Sequence, residues 1–281
     1  SMTFLFSPRP ELSSYQLAET EGISFTARDG MKIYGYVTMP ATSKKSNLPC
    51  VVLVHGGPWT RDLSRHSGAV QWLANRGYVV LQVNFRGSTG YGKEYFLAGK
   101  REWGAKMHDD IIDAKNYLVS LNLIDSEKVA IYGGSYGGYA ALCGLAFTPE
   151  EFACGVDIVG PSNLVTLMEN VPSWWVSFRS FHSYFIGDVL TEKAFLESRS
   201  PLFKADQITK PLLIAQGAND PRVSKQESDQ IVERMKDNNK SVEYLLFENE
   251  GHNFQRPETR LTFYEKAEQF LAAHLGGRAE A

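Results

Sequence analysis

Val129-Ala130-Ile131-Tyr132-Gly133-Gly134-Ser135-Tyr136-Gly137-Gly138-Tyr139-Ala140-Ala141-Leu142 is the stretch on which the reading of this chain turns. A short apolar run of strand character enters a cluster of four glycines around one serine and leaves as a helical segment reaching Phe147. The centre has the form G-x-S-x-G. By itself that form says little, since chance supplies it in roughly one chain in six with 24 glycines among 281 residues. Its setting says more. A strand before and a helix after are what a nucleophile elbow requires, with the serine at the apex of a strained turn. Glycines two residues to either side then let strand and helix cross without a Cβ clash. The plain alternative is a glycine-rich turn with no chemistry, and the rest of the chain decides between the two.

Working outward, further short apolar runs lie at Cys50–Val54, Tyr78–Val83, Cys154–Val159, Leu212–Ala215 and Val242–Phe247. Dense β-branched runs of this length suit strands of a parallel sheet covered on both faces. Ahead of them, Glu21–Ala27 and Met31–Met39 flank Arg28-Asp29-Gly30, the pattern of a β-hairpin. Helical segments at Val70–Asn75, Met107–Ser120 and Tyr139–Phe147 fill the first intervals. Ser224-Lys225-Gln226-Glu227 reads as a capping box opening a further helix, and Pro257 opens the last one, which ends at Gly276-Gly277. The expectation is an eight-stranded, mostly parallel α/β sheet flanked by helices.

Two regions fall outside the alternation. Ser162 to Lys210 is long, irregular and aromatic, with Trp174, Trp175, Phe178, Phe181, Tyr184 and Phe185. Between the sixth and seventh strands such an insertion can form a cap or a pocket wall. Residues 1–20 carry no clear period and read as a linker behind a strand remnant, Thr3-Phe4-Leu5-Phe6.

Bulk composition narrows the function classes. At 43% hydrophobic and 22% charged the chain can bury a sizeable core, and a net charge of −3 gives no electrostatic case for nucleic acid or an anionic membrane surface. No apolar run approaches the ~20 residues that cross a bilayer. Cys50, Cys143 and Cys154 lie in apolar stretches and read as buried reduced thiols without metal-ligand spacing, and a cytoplasmic location is the expectation. No cofactor or metal is expected.

A serine hydroxyl is a weak nucleophile until a base takes its proton. Of six histidines, His252 lies in Glu250-Gly251-His252-Asn253, between the eighth strand and the last helix, and can project from the C-terminal edge of the sheet. His55 closes the third strand and shapes the site, whereas His66, His108, His182 and His274 fall in helical or aromatic segments that suit surface or core roles. The group that orients the base is assigned to Asp220, in Gly217-Ala218-Asn219-Asp220-Pro221-Arg222-Val223, immediately after the seventh strand. Asp157 and Asp188 compete and do not follow that strand. The chain order Ser135, Asp220, His252 is that of an α/β hydrolase. Oxyanion donors are expected from the N–H of Tyr136 and, in the turn His55-Gly56-Gly57-Pro58-Trp59, of Gly57.

Together these residues resemble the catalytic domain of the prolyl oligopeptidase family of serine peptidases, in particular its acylaminoacyl-peptidase-like branch. The resemblance is carried by His55-Gly56-Gly57-Pro58, by Asn84-Phe85-Arg86-Gly87-Ser88-Thr89-Gly90-Tyr91-Gly92, by Gly133 to Tyr139, by Gly217 to Val223 and by Gly251-His252. It extends from about Glu21 to the C-terminus and implies hydrolysis of short peptides, releasing an N-terminal residue, a dipeptide or an acylated residue. It also implies that Arg222 bonds a substrate carbonyl. Tyr136 and Val223 would then flank the pocket for the residue preceding the scissile bond, and Trp174 and Trp175 would form its aromatic wall. For that aromatic pair, plain core packing is the equal alternative. Some dipeptidyl-peptidase relatives place a tyrosine where this chain has His55. Relatives carry an N-terminal β-propeller, so residues 1–20 read as a linker or remnant of a missing one, with residues 21–281 as the catalytic domain. The interface so exposed around Thr3–Phe6 could drive homo-oligomers. Competing functions are a carboxylesterase with the same triad, or a non-catalytic binding module of the same fold.

Overall fold

The computed structural model describes residues 3–7, 9–42, 44–171 and 176–280, the side chains of 176–178 excepted. The strands are β1 (Thr20–Thr26), β2 (Lys32–Thr38), β3 (Leu48–Val54), β4 (Val79–Asn84), β5 (Ile124–Gly134), β6 (Cys154–Ile158), β7 (Leu212–Gly217) and β8 (Val242–Phe247). They form one eight-stranded sheet in the order β1-β2-β4-β3-β5-β6-β7-β8. The hairpin β1–β2 is antiparallel and β2 meets β4 antiparallel, while every pairing from β4 to β8 is parallel. This is the α/β-hydrolase architecture expected from the sequence.

The continuous apolar runs have a simple cause. In β5, Val129 and Ile131 enter the larger core and Ala130 and Tyr132 the other one, so both faces of the strand are buried. Helices α2 (Lys93–Leu97), α3 (Lys106–Ser120), α4 (Tyr136–Phe147) and α8 (Lys225–Asp237) cover the first face. Helices α1 (Gly68–Asn75) and α9 (Pro257–Leu275) cover the second, α9 ending at Gly276 with φ 77°. Helix α4 is buried from Tyr136 to Ala146, which explains a composition apolar all round rather than on one stripe.

Strand order reverses at β3, whose neighbours are β4 on one side and β5 on the other. Open α/β sheets bind ligands at such a switch point, outside the C-terminal ends of the strands. Val54 pairs with Gly133 there, so the loops after β3 and β5 leave the sheet side by side.

Residues 162–171 and 176–210 fold over that edge as α5 (Leu164–Glu169), α6 (Val176–Phe185), α7 (Lys193–Ser198) and a 3-10 segment, Pro201–Gln207. The insertion is fastened at its middle and at its start. Arg101 donates its backbone N–H to Phe185 O at 2.7 Å and its guanidinium to the Glu192 carboxylate. At the start Glu227 corrects the capping-box reading. Ser224 Oγ does accept from Gln226 N at 3.3 Å, but the Glu227 carboxylate turns inward, accepting from Ser162 N at 2.9 Å and Asn163 N at 2.8 Å. It ties the loop after β6 to α8 instead of closing its own helix end. Residues 3–7 lie outside the sheet, with Phe4, Leu5 and Phe6 largely exposed.

Candidate active site

Ser135 stands between β5 and α4 at φ 58° and ψ −119°, a conformation that costs a non-glycine residue about 1–3 kcal/mol. Its N–H donates to Ile158 O at 2.8 Å and its C=O accepts from Tyr139 N at 3.0 Å, which holds the strained turn. A Cβ on Gly133 would lie 2.5 Å from the backbone of Gly137, and one on Gly137 only 2.1 Å from Val54 O. Glycine at both positions is therefore a packing requirement of the crossing between β3, β5 and α4.

The loops after β7 and β8 are drawn together by their own backbones. Ala218 N–H donates to Phe247 O at 3.0 Å and Asn219 N–H to Glu250 O at 2.9 Å, while Gly217 passes so close to Gly251 O that a Cβ would sit 2.2 Å away. This brings His252 Nδ1 to 2.7 Å from Asp220 Oδ2. The other carboxylate oxygen, Oδ1, accepts from Arg222 N at 2.8 Å and Val223 N at 3.0 Å, so the carboxylate cannot rotate away from the imidazole. His252 Nδ1 must carry the proton in that bond, which leaves Nε2 with a lone pair. Among the described residues no hydrogen bond joins Ser135 Oγ to His252, yet both line one cavity. Nucleophile–base contacts are often longer in empty sites and tighten around substrate.

That cavity has a volume of about 490 Å³. Gly57, Tyr136, Arg222 and Val223 line it. Tyr136 is the first residue of α4, so its N–H has no intrahelical partner and lies at the positive end of the helix. The walls are aromatic and aliphatic. Trp59, Trp103 and Phe181 contribute, with Trp59 edge-on to Phe181 at 4.7 Å between ring centroids and Trp103 edge-on to Tyr136 at 4.6 Å. Leu167, Met168, Val171, Phe181, His182 and Ile186 bring the 162–210 insertion onto the site, which makes it the pocket wall anticipated from its composition. Trp174 and Trp175 lie outside the described residues.

Some wall residues gave no warning in the sequence. His182, assigned there to a surface or core role, lines the cavity edge-on to Trp59. Trp103 sits in a connection with no catalytic pattern around it, and Pro161 and Val171 resemble any loop residue. Asp157, a competitor for the acid, is fully buried at the end of β6, where Oδ1 accepts from Gly160 N at 2.8 Å; burial holds its carboxyl well above the usual carboxylate range. Asp188 caps Leu190 N in the insertion. All three cysteines are buried, and burial pushes the Cys50 and Cys143 thiols far up and that of Cys154 to about 12, so none offers a thiolate near neutral pH. Among the described residues no group of three or more His, Cys, Asp or Glu could hold a metal ion, and no helix is long and apolar enough to cross a membrane.

Residues 64–278 match the prolyl oligopeptidase family, and the chain belongs to that family. It is 53% identical to dipeptidyl aminopeptidase BIII of Pseudoxanthomonas mexicana, covering 100% of this chain and 42% of that protein. It is 46% identical to dipeptidyl peptidase family member 6 of Caenorhabditis elegans, covering 98% of this chain and 40% of that one. Among solved structures, a puromycin-hydrolysing peptidase of Mycobacterium tuberculosis superposes with a TM-score of 0.88 at 30% identity, over 94% of this chain and 40% of that chain. The acylaminoacyl peptidase of Pyrococcus horikoshii gives 0.87 at 26% identity, over 96% and 44%. The chain thus spans about two fifths of the length of the curated relatives named here.

Proposed function

We propose that this chain is the catalytic domain of a serine peptidase that hydrolyses short peptides through an acyl-enzyme on Ser135. The observation that carries the reading is one cavity lined by a serine on a strained strand-to-helix turn and by a histidine bonded at 2.7 Å to a fixed carboxylate. In this mechanism Ser135 Oγ attacks the scissile carbonyl carbon as His252 Nε2 takes its proton. The carbonyl electrons move to oxygen, where the N–H groups of Tyr136 and Gly57 receive the charge. Collapse of the tetrahedral adduct expels the amine, which takes the proton from His252. Water, activated by the same imidazole, then releases the acyl group. Asp220 holds the tautomer and stabilises the imidazolium. In this reading Arg222, two residues beyond the acid and on the cavity wall, bonds a carbonyl on the N-terminal side of the scissile residue, while Val223 and the aromatic wall receive the side chain.

Membership in the family and the likeness to proteins named dipeptidyl and acylaminoacyl peptidases support peptide over simple ester substrates. The chain's two-fifths share of its relatives' length supports the reading of residues 1–20 as a linker from a preceding β-propeller. The test is Ser135→Ala, assayed on a short peptide amide and a small ester. Both activities should fall by several orders of magnitude, up to roughly 10⁶, with the fold intact and fluorophosphonate labelling abolished. Substantial amide hydrolysis by Ser135→Ala would refute the mechanism. Loss of ester cleavage alone, in an enzyme that never turned over the amide, would favour a carboxylesterase.

A further inference from the structure

The connection between α2 and α3 holds a residue whose backbone is strained and whose side chain the triad does not use. Arg101 stands at φ 62°, in the left-handed region that favours glycine. Such a conformation persists only where the surroundings hold it, and here both backbone and side chain reach the insertion. The N–H donates to Phe185 O at 2.7 Å, at the last residue of α6. The guanidinium forks onto Glu192, Nη1 to Oε2 at 2.8 Å and Nη2 to Oε1 at 2.5 Å. It also lies 4.5 Å from the ring centroid of Phe195 on α7. A two-pronged fork fixes direction as well as distance. Its hydrogen bonds hold the Glu192 carboxyl down at about 2, so the pair stays ionised through the neutral range.

Glu192 in turn closes the bend between α6 and α7. Its N–H donates to Asp188 O at 2.8 Å, and its Oε2 accepts from Asp188 N at 3.0 Å. Fixing that carboxylate fixes the bend, and with it the end of α6, from which Phe181, His182 and Ile186 line the cavity. Neighbours of Arg101 dock the same helix. Phe96 meets Phe185 edge-on at 5.1 Å, and Lys100 Nζ lies 3.4 Å from the ring centroid of Tyr184. The platform beneath is stiff. A Cβ on Gly99 would lie 2.6 Å from Gly87 Cα, and Arg86 beside it is bound to Asp110 through Nε at 2.8 Å and Nη2 at 2.7 Å. Trp103, two residues beyond Arg101, is itself part of the cavity wall.

We infer that Arg101 is a positioning residue for substrate selection, clasping α6 against the site through Glu192 so that the pocket for a bulky side chain before the scissile bond is formed ahead of binding. An arginine off the wall then sets the affinity for large residues without touching the substrate or the reacting atoms. A pocket formed only part of the time binds with an affinity reduced by that fraction. Substrates too small to use the α6 wall gain nothing from the clasp.

This inference rests on the serine-hydrolase reading, and the experiment separates the two. Arg101→Gly suits the left-handed backbone, retains the N–H on Phe185 and deletes the fork. Glu192→Gln keeps an oxygen for the Asp188 N–H and removes the charge, and it covers the case in which Arg101→Gly fails to fold. Both variants and their combination are measured for Tm and for the rate of labelling by a small fluorophosphonate. Each is also measured for kcat and KM on two short peptide amides, with phenylalanine or alanine before the scissile bond. Arg101→Gly is expected to raise KM about 3- to 10-fold on the phenylalanine amide and less than about twofold on the alanine amide. Its kcat, labelling rate and Tm should stay near wild type. Glu192→Gln should raise KM on the phenylalanine amide about 2- to 5-fold. The combined variant should be no worse than Arg101→Gly, because the two side chains act as one unit. Wild-type KM on the phenylalanine amide in folded Arg101→Gly, or in Glu192→Gln if the glycine variant does not fold, overturns the clasp. Additive losses in the combined variant overturn it as well. Equal losses on both amides and in labelling mark a merely structural residue, and the inference fails. In each of these cases, labelling of the wild type that is abolished in Ser135→Ala leaves the serine mechanism standing; a wild type that resists the label removes that reading itself.

Discussion

Replacing Asp220 by Asn tests the geometry of the site more sharply than deleting the nucleophile. Asp220 Oδ1 accepts two backbone N–H groups, from Arg222 at 2.8 Å and Val223 at 3.0 Å. An asparagine must keep its carbonyl oxygen on that side, because an amide NH₂ facing two donors would leave them unsatisfied. Its NH₂ is then forced toward His252 Nδ1, which presently lies 2.7 Å from Oδ2. Facing a donor, Nδ1 must give up its proton, so the neutral ring carries it on Nε2 and turns a donor toward Ser135. The base is present but in the wrong tautomer. Such a reversal is worth roughly 10⁴ in kcat, or about 5.5 kcal/mol of transition-state stabilisation. Stability should change little, since the two backbone bonds survive, and a thermal melt controls for that. The assay is kcat and KM on a short peptide amide at neutral pH, with KM expected to hold. An Asp220→Asn enzyme within tenfold of wild type would refute the argument and require another group to orient His252.

Other consequences can be measured alongside. His108 is buried on α3, its Nε2 2.9 Å from Thr148 Oγ1 and its Nδ1 buried with no partner among the described residues, and burial lowers it from 6.5 to about 4. The unfolded chain then binds a proton that the folded chain refuses, so stability present at pH 7 is lost as pH falls from about 6.5 toward 4, by up to roughly 3 kcal/mol. Tm should drop between pH 7 and pH 5, and less steeply in His108→Gln; an identical drop in both would exclude this histidine as the cause. Arg222→Ala should lower kcat/KM by about 10- to 150-fold on substrates with a carbonyl or acyl group N-terminal to the scissile residue, and leave small esters nearly untouched. An equal loss on both would assign Arg222 a structural role. Iodoacetamide at pH 8 should leave native activity intact because Cys50, Cys143 and Cys154 are buried thiols, and rapid inactivation would show that one of them is reachable.

How much of this was readable in advance follows from which constraints are local. The crossing of β5 and α4 needs glycine at positions 133 and 137 because backbone atoms stand where a Cβ would be, and that need is written directly into the chain. The buried strands are legible for the same reason, since a sheet covered on two faces leaves no polar position in the runs Cys50–Val54 of β3, Val79–Leu81 of β4 and Val129–Ile131 of β5. Asp220 and His252 could be assigned because parallel strands end on a common edge and their loops must emerge there together.

What the sequence leaves open depends on which neighbour a side chain meets. Trp103 is an apolar residue in a connection, and nothing in its vicinity separates a pocket wall from ordinary core; the fold of residues 162–171 and 176–210 over the sheet edge makes it a wall. Glu227 has the spacing of a helix cap, yet it bonds the loop after β6, because a partner 65 residues away offers two backbone donors in a buried setting. His55 is one histidine at a strand end until Ser88, 33 residues later, returns to bond its Nε2. Strand, turn and helix obey rules of a few residues' reach and so belong to the sequence. The pocket wall, the anchor of the insertion and the protonation of an imidazole are set by contacts between distant segments, and these exist only once the chain has packed.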